Sequence, residues 1–120
     1  MFPGIPRNFR RLAQFALGEF LRFAPLPARL FRVRGDSMRP TLAPDDCVLV
    51  ISRRAKVGEI VVAREPGHPQ RILVKRVASR GKSTVSLKSD NPLEGRDSRH
   101  FGSVPDELVI GTVCRIWRAS

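Results

Sequence analysis

The feature that most constrains this chain is a series of short Val- and Ile-rich runs that begins after Pro27. They are Leu30–Arg34, Cys47–Ser52, Glu59–Arg64, Arg71–Ser79, Thr84–Lys88 and Leu108–Trp117. Clusters of Gly, Pro, Asp and Ser separate them, which is strand-and-turn punctuation. Where the repeat is about ten residues long, the spacing predicts a compact, mainly antiparallel sheet or small barrel. At 120 residues the chain has room for one modest core and little more.

Residues 7–24 read differently. Arg7, Arg11, Gln14, Gly18 and Arg22 recur every three or four positions and form a polar stripe, while Phe, Leu and Ala fill most of the remaining surface. This predicts an amphipathic helix. Glu19 and Arg22 interrupt the apolar run and Pro25 and Pro27 end it, short of the ~20 residues a membrane span needs. Such a helix can lie in a membrane interface or pack on protein. The expected division is therefore 1–27 as helix and linker and 28–120 as the β domain. The cytoplasm is the expected location, with 7–24 as the segment that would touch a membrane surface.

Lys and Arg number 22 against 11 acidic residues, a net charge of +11. That excess favours polyanionic surfaces, either nucleic acid or anionic lipid. Surface aromatics interleaved for base stacking are missing, so a nucleic-acid partner is not expected. Cys47 and Cys114 lie far apart in apolar runs and are expected to be two buried thiols acting as small hydrophobes. Neither they nor the isolated His68 and His100 have metal-ligand spacing, so no metal and no cofactor is expected.

Three segments are not ordinary strand or connection. Gly35-Asp36-Ser37-Met38-Arg39-Pro40-Thr41-Leu42 is a Gly-led turn that presents a serine. Ile72-Leu73-Val74-Lys75-Arg76-Val77 sets a lysine within an apolar strand. Residues 89–102 form a long polar loop, and long loops in short domains are usually functional. A serine hydroxyl needs a base to become a nucleophile. Lysine can serve if burial lowers its pKa, and on a strand Lys75 would share its face with Leu73 and Val77. A lysine whose stem packs while its head reaches water is the competing reading of the same residue.

The segment G-D-S-M-R-P-T-L resembles the nucleophile box of type I signal peptidases, which share the Ser–Lys clan with LexA-like self-cleaving regulators. Gly58-Glu59-Ile60-Val61-Val62 resembles that family's Gly-Asp-x-Val strand, with Glu59 in place of aspartate. Val74-Lys75-Arg76-Val77 is similar to its general-base box. S-D-N-P-L-E-G-R-D-S-R-H-F-G-S-V-P, followed by Ile110-Gly111, is similar to its last box, G-D-N-x(5)-D-S-R-x-x-G-x-V-P. Four boxes in order cover about 30–115.

The resemblance implies a compact signal peptidase/LexA-like antiparallel β fold, with Ser37 as nucleophile and Lys75 as general base. Gly35, Asp36 and Met38 would form the immediate shell, with the Ser37 N–H in the oxyanion hole and Met38 keeping the pair dry. Arg76, Asp90, Asp97 and Arg99 would form structural ion pairs, Asp90 with Arg76 and Asp97 with Arg99. Two positions depart from the pattern. The hydroxyl often found two residues before the nucleophile is absent at Gly35. So is the lysine-orienting serine two residues before the D-S-R aspartate, at Gly95, leaving Ser98, Ser89 or water to replace it.

The chain lacks the Ala-Gly or Cys-Gly dipeptide at which the self-cleaving regulators cut. An enzyme that trims the N-terminal leader of another protein is therefore expected. In size and layout the chain is similar to the maturation peptidases of nickel superoxide dismutase. A compact type I signal peptidase, or one like the mitochondrial inner-membrane peptidases, is the alternative. A basic β module that binds nucleic acid or lipid without catalysis is the other.

Overall fold

A computed structural model of the chain describes residues 4–5 and 28–119. The strands are β1 (Gly4–Ile5), β2 (Ala28–Arg32), β3 (Cys47–Ile51), β4 (Ile60–Glu65), β5 (His68–Arg80), β6 (Thr84–Lys88), β7 (Val104–Pro105) and β8 (Val109–Ala119). One short helix, α1 (Ser98–Phe101), lies before β7, and a 3-10 turn, Asp106–Leu108, follows it. The expected helix over 7–24 lies outside the described residues. Among those described, no helix is long and apolar enough to cross a membrane.

β3 and β4 organise the sheet because both are buried on both faces. In β3 all five residues are buried, and in β4 Val61, Val62 and Ala63 are wholly so. Near-continuous apolar runs of this kind are what a strand covered on both sides requires. The strand order is β2-β3-β8-β4-β5-β6-β7 with every neighbour antiparallel, and β1 pairs in parallel with the end of β8. The fold is therefore the mostly antiparallel β architecture that the spacing predicts.

The alternation of β4 divides the core in two. Ile60 and Val62 join Val33, Met38, Leu42, Val48 and Val50 on one side. Val61 and Ala63 join Ala55, Val77, Val85, Leu87 and Val104 on the other. Each fully buried valine contributes about 1.5–3 kcal/mol of transfer free energy.

The strands differ from expectation at their ends. β2 begins two residues earlier, and β5 begins at His68, which pairs with Glu65, and includes Pro69 in the irregular stretch between that pair and Arg64–Ile72, where a ladder bond is not required. The polar stretch 89–102 is not all loop: Asp97 caps α1, accepting from the Arg99 N–H while His100 Nδ1 accepts from the Asp97 N–H. Cys114 is a correction. It lies on an uncovered stretch of β8 and is exposed, while Cys47 is buried, and both thiols are free.

Candidate active site

Residues 33–46 leave β2 and return to β3 as a closed excursion. Its neck is held by the Val33 N–H on the Asp46 carbonyl and the Asp45 N–H on the Val33 carbonyl, both 2.8 Å. The buried Asp46 carboxylate accepts from the N–H groups of Ala43 and Ala119 and pairs with Arg118, fastening the excursion to the end of β8. Met38 and Leu42 anchor its tip in the first core cluster, so Ser37 between them and the surface is held half-buried. Gly35 and Asp36 are exposed at this tip, Gly35 has φ +76°, and Asp36 pairs with Arg39. Among the described residues neither the Ser37 N–H nor Ser37 Oγ has a hydrogen-bond partner.

Lys75 lies in β5 directly opposite Val61 and is only 3% exposed. Its apolar surroundings lower its pKa from the ordinary lysine value, chiefly by desolvation. Asp97 and Glu65 oppose that shift, and Arg99 reinforces it. The Nζ donates to Ser89 Oγ at 3.0 Å, and Ser89 is itself buried.

Ser37 and Lys75 meet at the backbone of Gly95. A Cβ placed on Gly95 would lie 2.7 Å from Ser37 Cβ, 3.5 Å from Ser37 Oγ and 3.0 Å from Lys75 Nζ. Two side chains 38 positions apart in sequence thus face one small space against a bare glycine. That space opens into a cleft of about 660 Å³, whose walls include Met38, Glu65, Arg71 and Arg96.

The four charged residues expected around the pair are brought there in two groups. Arg76 forms a two-pronged pair with Asp90, Nε to Oδ1 at 2.8 Å and Nη2 to Oδ2 at 2.7 Å. Thr41 Oγ1 also donates to Asp90 Oδ2, at 2.5 Å, so the carboxylate joins the serine turn, the lysine strand and the last loop. Asp97 accepts from Arg99 Nε at 2.9 Å and from the N–H of Ser89 at 3.0 Å. Burial alone would raise the Asp97 carboxyl, but these hydrogen bonds and that from the Arg99 N–H outweigh it and hold the pKa at about 2.

Other contributors were not singled out from sequence. The Asn91 N–H donates to the Ser37 carbonyl at 2.8 Å, and its side-chain amide to the Asp36 carbonyl at 3.3 Å. Its place in the S-D-N triplet was the available signal. Glu65, 1% exposed, pairs with Arg71 across the hairpin and with Arg96 in the last loop. Nothing in the local sequence marks it, since a glutamate before Pro66-Gly67 looks like an ordinary strand end. Glu59 is placed away from the pair, gripping Arg53 through both carboxylate oxygens.

A protein-family model, described as Peptidase S24-like, matches residues 10–113. The chain belongs to that family. Its members are signal peptidase-like serine peptidases, so the protein is a peptidase by descent. Among similar proteins are the mitochondrial ATP-independent inner membrane protease subunits 1a and 1b of Arabidopsis thaliana, 32% and 33% identical. The alignments cover 71% and 69% of this chain and 68% and 66% of the relatives. The mitochondrial inner membrane protease subunit 1 of Xenopus tropicalis is 31% identical over 69% of this chain and 65% of its own length. The chain thus spans about two thirds of each relative. The S24-like match takes in the serine turn, the lysine strand and the last loop together.

Proposed function

We propose that this protein is a serine endopeptidase that removes the N-terminal leader of a precursor protein, with Ser37 as nucleophile and Lys75 as general base. The observation that carries the reading is the shared space at Gly95, where a half-buried serine hydroxyl meets a buried lysine amine. Desolvation favours the neutral amine, the form that can accept a proton. Lys75 takes the Ser37 proton as Oγ attacks the scissile carbonyl, then returns it to the leaving amine; it next activates water to release the acyl group. The Ser37 N–H, which has no partner among the described residues, is available to the oxyanion. Gly35 offers no hydroxyl there, so Ser37 supplies the donor that this turn can be assigned. The hydrogen bond between Oγ and Nζ is expected to form when substrate binds, since such bonds tighten in the Michaelis complex.

The nickel superoxide dismutase precursor is the first substrate to test, because the layout of the four boxes is similar to that of its maturation peptidases. The names of the relatives favour a second reading, in which the leader is removed at a membrane surface. Co-expression of each class of precursor with wild-type enzyme or Ser37→Ala, followed by mass spectrometry of the precursor's N-terminus, separates them. Leader removal by the wild type and its loss by a factor on the order of 10⁶ in Ser37→Ala supports the peptidase reading. Unchanged removal by Ser37→Ala overturns it.

A further inference from the structure

The Lys75 amine has one hydrogen-bond partner among the described residues, and it is Ser89 Oγ at 3.0 Å. Both residues are nearly closed to solvent, at 3% and 6% exposure. Ser89 is in turn fixed from behind, because its N–H donates to Asp97 Oδ2 at 3.0 Å and Asp97 is pinned by Arg99. A second wall of the same space is Gly95. It has φ +75°, a conformation costly for other residues, and any Cβ there would collide with Ser37 Cβ at 2.7 Å. The chain therefore carries a hydroxyl at 89 and no side chain at 95, the reverse of the glycine and serine at those places in the boxes it resembles.

We propose that Ser89 is the positioning residue of Lys75, and that Gly95 must stay bare for Lys75 and Ser37 to share their space. The inference rests on the Ser37–Lys75 reading above. A neutral amine has two N–H groups and one lone pair. With one N–H committed to Ser89 Oγ, rotation about the Cε–Nζ bond is restricted and the lone pair is turned away from Ser89. Ser89 also accepts a stronger bond from the ammonium than from the amine, which partly offsets the desolvation of the charged form. The other charged groups that act on Lys75 are Asp97 and Glu65, which favour its charged form, and Arg99, which opposes it. All three are unchanged by substitution at 89.

The test uses the full chain as wild type, Ser89→Ala, Ser89→Thr, Gly95→Ala and Ser37→Ala, each checked for folding by thermal unfolding. A proteome-derived peptide library is the substrate probe, with cleavage counted by mass spectrometry. Lysine labelled with ¹³C at Cε reports the Lys75 titration midpoint by NMR. Loss of the positioning hydroxyl is expected to slow cleavage on the order of 10²-fold in Ser89→Ala, with most of it restored in Ser89→Thr. The Lys75 midpoint is expected to fall further below that of ordinary lysine in Ser89→Ala, because an acceptor for its charged form is gone. Gly95→Ala is expected to stay folded and lose cleavage. If Ser89→Ala keeps the wild-type rate and midpoint, or its midpoint moves up to that of ordinary lysine, the assignment of Ser89 is overturned. If Gly95→Ala keeps the wild-type rate, that of Gly95 is. If Ser37→Ala also cleaves normally, it is the dyad that fails. Should the wild type leave the library uncut, the midpoints alone decide for Ser89.

Discussion

The Asp90 carboxylate sits between the Arg76 guanidinium at 2.7 Å and the Thr41 hydroxyl at 2.5 Å, so one side chain holds three separate segments in register. Thr41 comes from the excursion that presents Ser37, Arg76 follows Lys75 on β5, and Asp90 opens the last loop. The arrangement explains how Ser37 and Lys75, far apart in sequence, are held facing one space.

Asp90→Ala would leave the Arg76 fork and the Thr41 hydroxyl without their acceptor in a partly buried place. The expected cost is about 2–3 kcal/mol, measured as a lower urea midpoint. Activity should fall by more than the unfolded fraction explains. A double-mutant cycle with Arg76→Ala should show a coupling of about 1 kcal/mol or more, and additive costs would contradict the tie.

Asp97 makes stability acid-sensitive. Its folded pKa, about 2, lies below the ordinary carboxylate value of 3.8, so its contribution is fully present above pH ~4. The contribution disappears as pH falls from there through the folded value, and its size is about 2 kcal/mol. Urea melts between pH 5 and pH 2 should show that loss in wild type and a smaller one in Asp97→Asn.

Lys75 should cost the fold stability at neutral pH. Its folded pKa is lowered, so between that value and the ordinary 10.5 the unfolded chain binds more protons, and stability rises with pH across this window. The cost is roughly 1.4 kcal/mol for each unit of the shift. Lys75→Met, which keeps the stem and removes the charge, is expected to raise the melting temperature at pH 7 while abolishing cleavage. A lower melting temperature would mean that the charged amine is stabilising.

The two thiols should separate by access. Cys114 is exposed on β8 and Cys47 is 2% exposed in β3. An aromatic disulfide reagent should modify one thiol per native chain quickly and the second only on unfolding. Cys114→Ser should remove the fast phase, and two equal fast thiols would contradict the strand placement.

The sheet was legible because β3 and β4 are unbroken apolar runs between clear turn residues, and such runs have few alternatives in a chain this short. Strand ends were less so: Pro69 argues against a strand, yet it lies in the irregular stretch between the Glu65–His68 and Arg64–Ile72 pairs, where a ladder bond is not required. Cys114 was misplaced because a run such as Val113-Cys114-Arg115-Ile116 does not say which face the sheet will cover. At the site, Ser37, Lys75 and the charged pairs stood out through four ordered boxes. The replacement for the absent serine at 95 could be narrowed but not chosen, because Ser89 and Ser98 lie in the same loop. Chain geometry separates them: Ser98 Oγ accepts from the Leu87 N–H, while Ser89 alone of the two reaches Nζ. Glu65 was invisible because its partners, Arg71 and Arg96, come from a hairpin and a distant loop.

The central claim is that Ser37 and Lys75 act as one catalytic unit, and the most direct measurement is the cleavage rate of Ser37→Ala, Lys75→Met and the double variant. All three should be folded and equally inactive, because removing either member of a unit costs as much as removing both. A Lys75→Met enzyme that retains near-wild-type cleavage, or a double variant far slower than either single one, would contradict it.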